Sequence, residues 1–217
     1  MSVRFSDEEF VRLKALLPVY EWSKQIFLTK LGILHQDLVH HHKSNPIEHI
    51  KARIKAPEDI AGKLQRMNLE VTADNAKRHL KDIAGIRIIS PFAKDIYRIV
   101  DILTSMPDWR VSDREDYIID PKPSGYRSYH LTIEVPVHYS GKTEEVPVEV
   151  QLRTAAMDFW AMMEHQVRYK YKDVVPLYLS DELVICANKI ADLDKRMVLI
   201  QEAISQMNEN SPAEDDT

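Results

Sequence analysis

The chain has 217 residues, of which 44% are hydrophobic and 29% charged, the balance of an ordinary globular protein. That length fits one domain, or one domain with a helical extension, and excludes collagen-like, mucin-like and wholly disordered chains. The net charge of −5 argues against a general nucleic-acid binder, so DNA is not expected as a partner and RNA is not indicated.

The first segment reads as helix. Ser6 and Glu9 have the spacing of a capping box. Phe10, Leu13 and Leu17 then fall on one face, and Trp22, Ile26 and Leu34 continue the stripe beyond Pro18, which should kink or restart the helix. Asn45-Pro46 has the form of an N-cap followed by proline at the first helical position. Pro57 and Thr72 open two short helices, roughly 57–68 and 73–81. The next segment alternates. Ile83 to Ile89 is short and β-branched, a strand; Pro91 to Met106 is an amphipathic helix; Trp109 to Ile119 is a strand. After a polar loop from Pro121 to Ser128, strands at Tyr129–His138 and Glu144–Arg153 are joined by Ser140-Gly141-Lys142-Thr143, a hairpin signal. These elements predict an α+β fold, a mixed sheet of about five strands with helices packed on it.

The last segment is helical again, from Ala155 to Tyr171 and through a second helix carrying Leu183, Cys186, Ile190, Leu193, Met197, Ile200, Ile204 and Met207. Those intervals alternate three and four, a heptad seam. Packing on the helix's own domain and pairing between subunits explain such a seam about equally well, and its regularity makes a homo-oligomer the expectation. The expected organisation is an N-terminal helical region (1–44), a central domain (45–172), a C-terminal helix (173–207) and a disordered acidic tail (208–217).

No apolar run reaches the ~18–20 residues of a membrane span. The N-terminus turns acidic before any apolar core, unlike a secretory leader. Cys186 is the only cysteine, so no internal disulfide can form, and the cytoplasm is the expected compartment. The five glycines, at 32, 62, 85, 125 and 141, build neither G-x-G-x-x-G nor a Walker A loop. A bound phosphate must therefore be held mainly by Lys and Arg. Between Lys51 and Arg87 nine Lys/Arg face five Asp/Glu, a local excess of four positive charges. A solvated helix face is the ordinary reading of such an excess, and a small polyanion pocket the sharper one.

Four stretches bear on chemistry. In Val148-Glu149-Val150-Gln151-Leu152-Arg153, alternation puts Glu149, Gln151 and Arg153 on one strand face. From that stretch alone a solvent-facing sheet surface is favoured over a site. Asp82 opens the strand that runs through Arg87; a carboxylate there is more often a turn residue, but paired with Glu149 from a neighbouring strand it can hold Mg²⁺, which takes few carboxylates plus substrate phosphates. Arg53, Lys55, Lys63 and Arg66 form a basic set suited to a polyphosphate. Lys122-Pro123-Ser124-Gly125-Tyr126-Arg127-Ser128-Tyr129-His130 combines cations, aromatics and a histidine in a loop entering a strand, where a ring can stack on a base. His40-His41-His42 reads as a basic helix end, since three successive helical residues point three ways and no cysteine is near. No His-Asp dipeptide occurs, so no HD-type metallohydrolase signature is present.

Together with Asp82-Ile83-Ala84-Gly85-Ile86-Arg87, Asp116-Tyr117-Ile118, and Trp160-Ala161-x-x-Glu164-His165 followed by Tyr169-Lys170-Tyr171, these motifs resemble the synthetase domain of the RelA/SpoT family over roughly residues 45–172. Specifically, the chain resembles the small alarmone synthetases, single-domain (p)ppGpp synthetases. The resemblance implies a nucleotidyltransferase-like sheet. It also implies transfer of the β,γ-pyrophosphate of ATP to the 3′-hydroxyl of GDP or GTP, with release of AMP, in the stringent response. By motif, Arg53 and Arg87 flank the adenine and Lys55, Lys63 and Arg66 hold the ATP phosphates. Asp82 and Glu149 ligate Mg²⁺, Glu149 also acting as the catalytic base. Tyr126 stacks on guanine, with Lys122, His130, Gln151 and Glu164 around the acceptor; Arg127 belongs to the same motif. Glu115 stands where some members carry a base, a departure associated with GDP preference, and Arg114 is its nearest substitute. The resemblance also implies a homotetramer and a synthetase without its own hydrolase. Two other readings fit the local motifs: a toxin-type relative acting on adenosine nucleotides or tRNA 3′ ends, and a catalytically idle RNA- or nucleotide-binding regulator, against which intact Asp82 and Glu149 argue.

Overall fold

A computed structural model describes residues 6–42, 45–171 and 174–210. Helix α1 (Asp7–His42) opens the chain. The Glu9 N–H donates to Ser6 Oγ at 3.2 Å, one half of the expected box, while the Glu9 carboxylate is taken by Arg12. Leu13, Tyr20, Phe27, Leu31 and Leu38 lie on its buried face, at intervals of seven and four residues. The helix runs through Pro18 without the expected restart. Pro18 and Lys14 are both on the exposed side, so the Lys14 carbonyl that Pro18 leaves without a donor faces water.

The Asn45-Pro46 step does not open a helix. It leads into an edge strand, β1 (His49–Ile54), paired antiparallel with β2 (Ala84–Ser90). Proline restricts the residue before it to extended backbone, and Asn45 is engaged by His35 at 2.8 Å rather than capping. The basic residues Lys51 and Arg53 masked the strand, although charge is common on sheet edges. Two short helices follow, α2 (Pro57–Arg66) and α3 (Ala73–His79), the second capped by Thr72, whose side chain accepts from the Asn75 N–H.

After β2, helix α4 (Ala93–Ser105) leads to β3 (Arg110–Asp116). That strand stops three residues earlier than expected because Asp116 Oδ1 accepts from the N–H groups of Ile118 and Ile119, at 2.9 and 3.1 Å, and turns the chain. Strands β4 (Tyr129–Tyr139) and β5 (Lys142–Thr154) form a long hairpin. Its two turn residues, Ser140 and Gly141, both have positive φ, 48° and 74°. The sheet order is β1-β2-β5-β4-β3, with β2 and β5 parallel and all other pairs antiparallel. Ala84, Ile86, Ile88, Val148, Val150 and Leu152 give one face an apolar surface in a core shared with α1 and α4. The N-terminal helix is therefore part of the same core as the sheet.

Helices α5 (Ala155–Lys170) and α6 (Leu177–Asn210) complete the described chain. Thr154 caps α5, accepting from the Met157 N–H, and its hydroxyl donates to Asp194 of α6 at 2.6 Å. Trp160 Nε1 donates to the Leu183 carbonyl at 2.8 Å. The helix turns Ala187 inward and leaves Leu193, Met197, Ile200 and Ile204 largely exposed. Helix α6 reaches Asn210, beyond the expected start of the acidic tail; the rest of that tail lies outside the described residues.

Gly125 joins the 121–128 loop to this helical layer. Its φ is +88°, and a Cβ there would lie 2.7 Å from the Ala187 Cβ. Gly125→Ala therefore meets both a left-handed backbone penalty and a clash. It should lower stability by at least ~1 kcal/mol in urea titration. The second change Ala187→Gly should recover the steric part alone.

Candidate active site

The sheet register gathers polar residues from five strands onto the face opposite the apolar one. Arg53, Gly85, Glu149, Thr132 and Asp113 are successive neighbours across it. The next row is Lys51, Arg87, Gln151, His130 and Glu115. Gln151 Nε2 donates to Glu149 Oε2 at 2.8 Å, and Arg153 Nη2 donates to Gln151 Oε1 at 2.9 Å. The polar half of β5 is thus a connected network and not a solvated surface.

Asp82 sits just ahead of β2, and the Lys55 N–H, just past β1, donates to the neighbouring Ile83 carbonyl at 2.8 Å. Lys55 and Lys63 both donate to Asp82 Oδ2, Lys63 at 2.7 Å. Burial opposes ionisation of Asp82, but the two ammonium groups outweigh it and hold the carboxyl below its usual range. Glu149 is shifted the other way. Burial, then the charge of Asp82, push its pKa up, against the Gln151 hydrogen bond and the two lysines. Both carboxylates line one pocket with Lys51, Arg53 and Arg87. Asp82 Oδ1 is buried in it without a hydrogen-bond partner. An orphaned carboxylate oxygen beside a second carboxylate that resists ionisation is the donor set a hard divalent cation satisfies.

A second pocket adjoins the first through Arg53 and Arg87 and is also lined by Tyr126, Arg153, Glu164 and His165. The Tyr126 hydroxyl lies 2.8 Å from His130 Nε2 and 2.6 Å from Arg153 Nη2. Lys122 Nζ is 4.2 Å from the centre of the Tyr117 ring and 5.5 Å from that of Tyr126. Tyr117 packs edge-on against both Tyr126 and His130. Glu164 is paired with Arg168.

The structure therefore brings Arg53, Lys55, Lys63, Asp82, Arg87, Glu149 and Gln151 into one cluster and Lys122, Tyr126, His130 and Glu164 into its neighbour. Three expected residues stand apart. Arg66 is exposed in the last turn of α2. Arg114 pairs in register with Leu131, which is buried in the core, so alternation sends it to the face opposite Glu115 and it cannot substitute there. Arg127 turns back to the helices, donating to the Gly125 carbonyl and to Asn188 Oδ1, both at 3.1 Å. Sequence reasoning left out Tyr117, Arg153 and Asp158. Arg153 was signalled by its place on the Glu149–Gln151 face; Asp158, in the first turn of α5, carried no such signal. Among the described residues no group of three or more His, Cys, Asp or Glu side chains could hold a metal, and no helix is long and apolar enough to cross a membrane.

Paired carboxylates, a cationic cradle and an aromatic loop on one sheet face define a protein built to handle nucleoside polyphosphates. The sequence model described as "Region found in RelA / SpoT proteins" matches residues 52–174, and the chain belongs to that family. It is 45% identical over 190 residues to GTP pyrophosphokinase YwaC of Bacillus subtilis (strain 168), covering 87% of this chain and 90% of that one. Among solved structures, small alarmone synthetase 2 from Bacillus subtilis superposes with a TM-score of 0.78 at 42% identity, over 88% of this chain and 97% of that one. Small alarmone synthetase 1 from the same organism, bound to its product pppGpp, gives 0.82 at 31% identity, over 88% and 97%. These agree with the α+β fold expected from the sequence.

Burial, then the charges of Lys122, Arg153 and Arg87, depress the His130 pKa from 6.5 to about 3. His130 thus stays neutral in the folded chain while the unfolded chain takes up a proton below its ordinary pKa. Stability is present above that value and falls as pH drops through the window between the two, by about 2 kcal/mol from pH 7 to pH 5. Urea unfolding at both pH values should show that loss, and His130→Asn should flatten it by a comparable amount.

Proposed function

We propose that this chain is a GTP pyrophosphokinase that transfers the β,γ-pyrophosphate of ATP to the 3′-hydroxyl of GDP or GTP, yielding (p)ppGpp and AMP. The observation that carries the reading is the shared pocket of Asp82 and Glu149, bordered by the lysine and arginine cradle and adjoining the tyrosine-bearing loop. The relatives' activity and the pppGpp-bound neighbour point to the same chemistry.

A 3′-hydroxyl is a poor nucleophile at neutral pH, so its proton must be taken as the new O–P bond forms. Glu149 is the base. Its raised pKa brings its basicity nearer to neutral pH than that of an ordinary carboxylate. The bond between the α-phosphate and the transferred group breaks, and AMP leaves. Asp82 and Glu149 hold Mg²⁺, which supplies charge neutralisation on the transferred pyrophosphoryl group when bound. Lys55 and Lys63 face the donor phosphates, and Arg53 and Arg87 flank the adenine. Tyr126 stacks on the acceptor base, with Lys122, His130, Gln151 and Glu164 around it. Glu115, beside His130 in register, puts negative charge at the acceptor end of the sheet face. An extra γ-phosphate is disfavoured there, so GDP is the better acceptor.

Self-association follows from the exposed Leu193, Met197, Ile200 and Ile204 on one side of α6. A seam of that regularity needs a partner helix, and a homotetramer is the assembly proposed. Sedimentation of the Met197→Glu/Ile200→Glu double variant should give a smaller species than the wild type.

Glu149→Gln preserves shape and removes the base; turnover should fall at least ~10²-fold at unchanged fold. Product chromatography from labelled ATP with GDP, GTP, ADP, ATP or tRNA as acceptor tests the reading directly. Labelled guanosine products, formed with higher kcat/KM from GDP than from GTP, are expected. Transfer to adenosine nucleotides or tRNA alone would replace it with the toxin-type activity.

A further inference from the structure

Asp158 lies in the first turn of α5, and its side chain is only 14% exposed. Three cations from three strands converge on it. Arg153 Nη1 of β5 and Arg87 Nη1 of β2 donate to Oδ1 at 3.0 and 3.1 Å, and Lys51 Nζ of β1 donates to Oδ2 at 3.3 Å. None of these contacts is to a group assigned a chemical role by the motifs of the acceptor loop. Yet the two arginines bridge the pockets: Arg87 borders both, and Arg153 lines the second. The other arm of Arg153 donates to the Tyr126 hydroxyl at 2.6 Å and to Gln151.

We infer that Asp158 is a positioning residue that couples the two nucleotide sites, by holding the Arg87 and Arg153 guanidinium groups together and, through Arg153, fixing Tyr126. The inference rests on the donor and acceptor assignment above. The physical need for such a group is plain. Two guanidinium groups on neighbouring strands, on one sheet face, repel one another in a half-buried setting. Arg87 and Arg153 each also have a buried Nε without a hydrogen-bond partner, so their terminal nitrogens carry the whole burden of orienting them. Asp158 Oδ1 accepts from both at once, which fixes their separation and the direction of each plane. The charge of these cations outweighs burial and keeps the Asp158 carboxyl below its usual range, so it remains ionised at neutral pH.

Removing that oxygen releases both arginines together. Arg87 moves away from Arg153, and Arg153 loses the second anchor that aims its other arm at Tyr126. A change at one residue outside both base-binding loops must then be felt at both substrates. A residue serving only the helix start would lower stability without that double effect.

The experiment begins with wild-type turnover of ATP with GDP, which tests the activity itself before any variant is read. Asp158→Ala should then raise KM for ATP and KM for GDP together, each by about 10-fold. Asp158→Asn keeps one acceptor oxygen and should recover part of both. Phe27→Leu, in the core under the opposite face of the sheet, serves as a comparator of lowered stability and should leave both KM values within about twofold. Combining Asp158→Ala with Tyr126→Phe should give less than the product of the single effects on KM for GDP, and the full product on KM for ATP. A shift in only one KM, an equal shift in the Phe27→Leu comparator, or full multiplicativity on the GDP side would each overturn the coupling role while leaving the activity standing.

Discussion

The parallel pairing of β2 with β5 is the constraint on which the site depends. It sets Gly85 beside Glu149 and Arg87 beside Gln151, and through the outer strands it fixes both polar rows. Strand side chains alternate, so a slip of one residue would send the charged set into the core and the isoleucines and valines into the pocket. The register is protected by the apolar face, where Ala84, Ile88, Val148, Val150 and Leu152 are completely buried. The core thus specifies the site indirectly. It is the cost of exposing those side chains that keeps the two carboxylates next to one another.

Within the site, the opposed shifts of Asp82 and Glu149 divide the work. Two carboxylates at one locus cannot both ionise freely, and the chain resolves the conflict by giving both lysine ammonium groups to Asp82. Asp82 is therefore the fixed anion. Glu149, with a neutral amide as its hydrogen-bond partner and a charged neighbour, is the one for which holding a proton costs less. Divergent proton affinities in a carboxylate pair are the usual sign of distinct chemical roles.

Much of this was legible in the sequence, for physical reasons that differ by element. The β4–β5 hairpin was marked by Ser140-Gly141, because few residue pairs accept two left-handed backbone conformations. The β5 face was readable from strict alternation, which also implied Arg153. Strand β1 was not readable: its apolar residues are only Ile50, Ala52 and Ile54, and an edge strand need bury only one side. Arg114 was misplaced because proximity to Glu115 in sequence means opposition across a strand. Asp158 was invisible for a different reason. Its partners lie 5, 71 and 107 residues away, at Arg153, Arg87 and Lys51, and only the closed sheet brings them to α5.

The scarcity of glycine has a consequence for how this site is charged. A glycine-rich loop binds phosphate with backbone N–H groups, which carry no net charge and need no counter-ion when the ligand is absent. A cradle of Lys and Arg side chains does. Here the counter-ions are the chain's own carboxylates: Asp82 for Lys55 and Lys63, and Asp158 for Lys51, Arg87 and Arg153. An arriving polyphosphate therefore meets cations that are already paired, and its affinity is the difference between two sets of ion pairs. That difference favours a ligand able to engage several cations at once, since each single exchange of partner gains little. A polyphosphate brings several anionic oxygens where a lone phosphate brings few, so the carboxylates that hold the cradle in shape also favour the more highly charged anion.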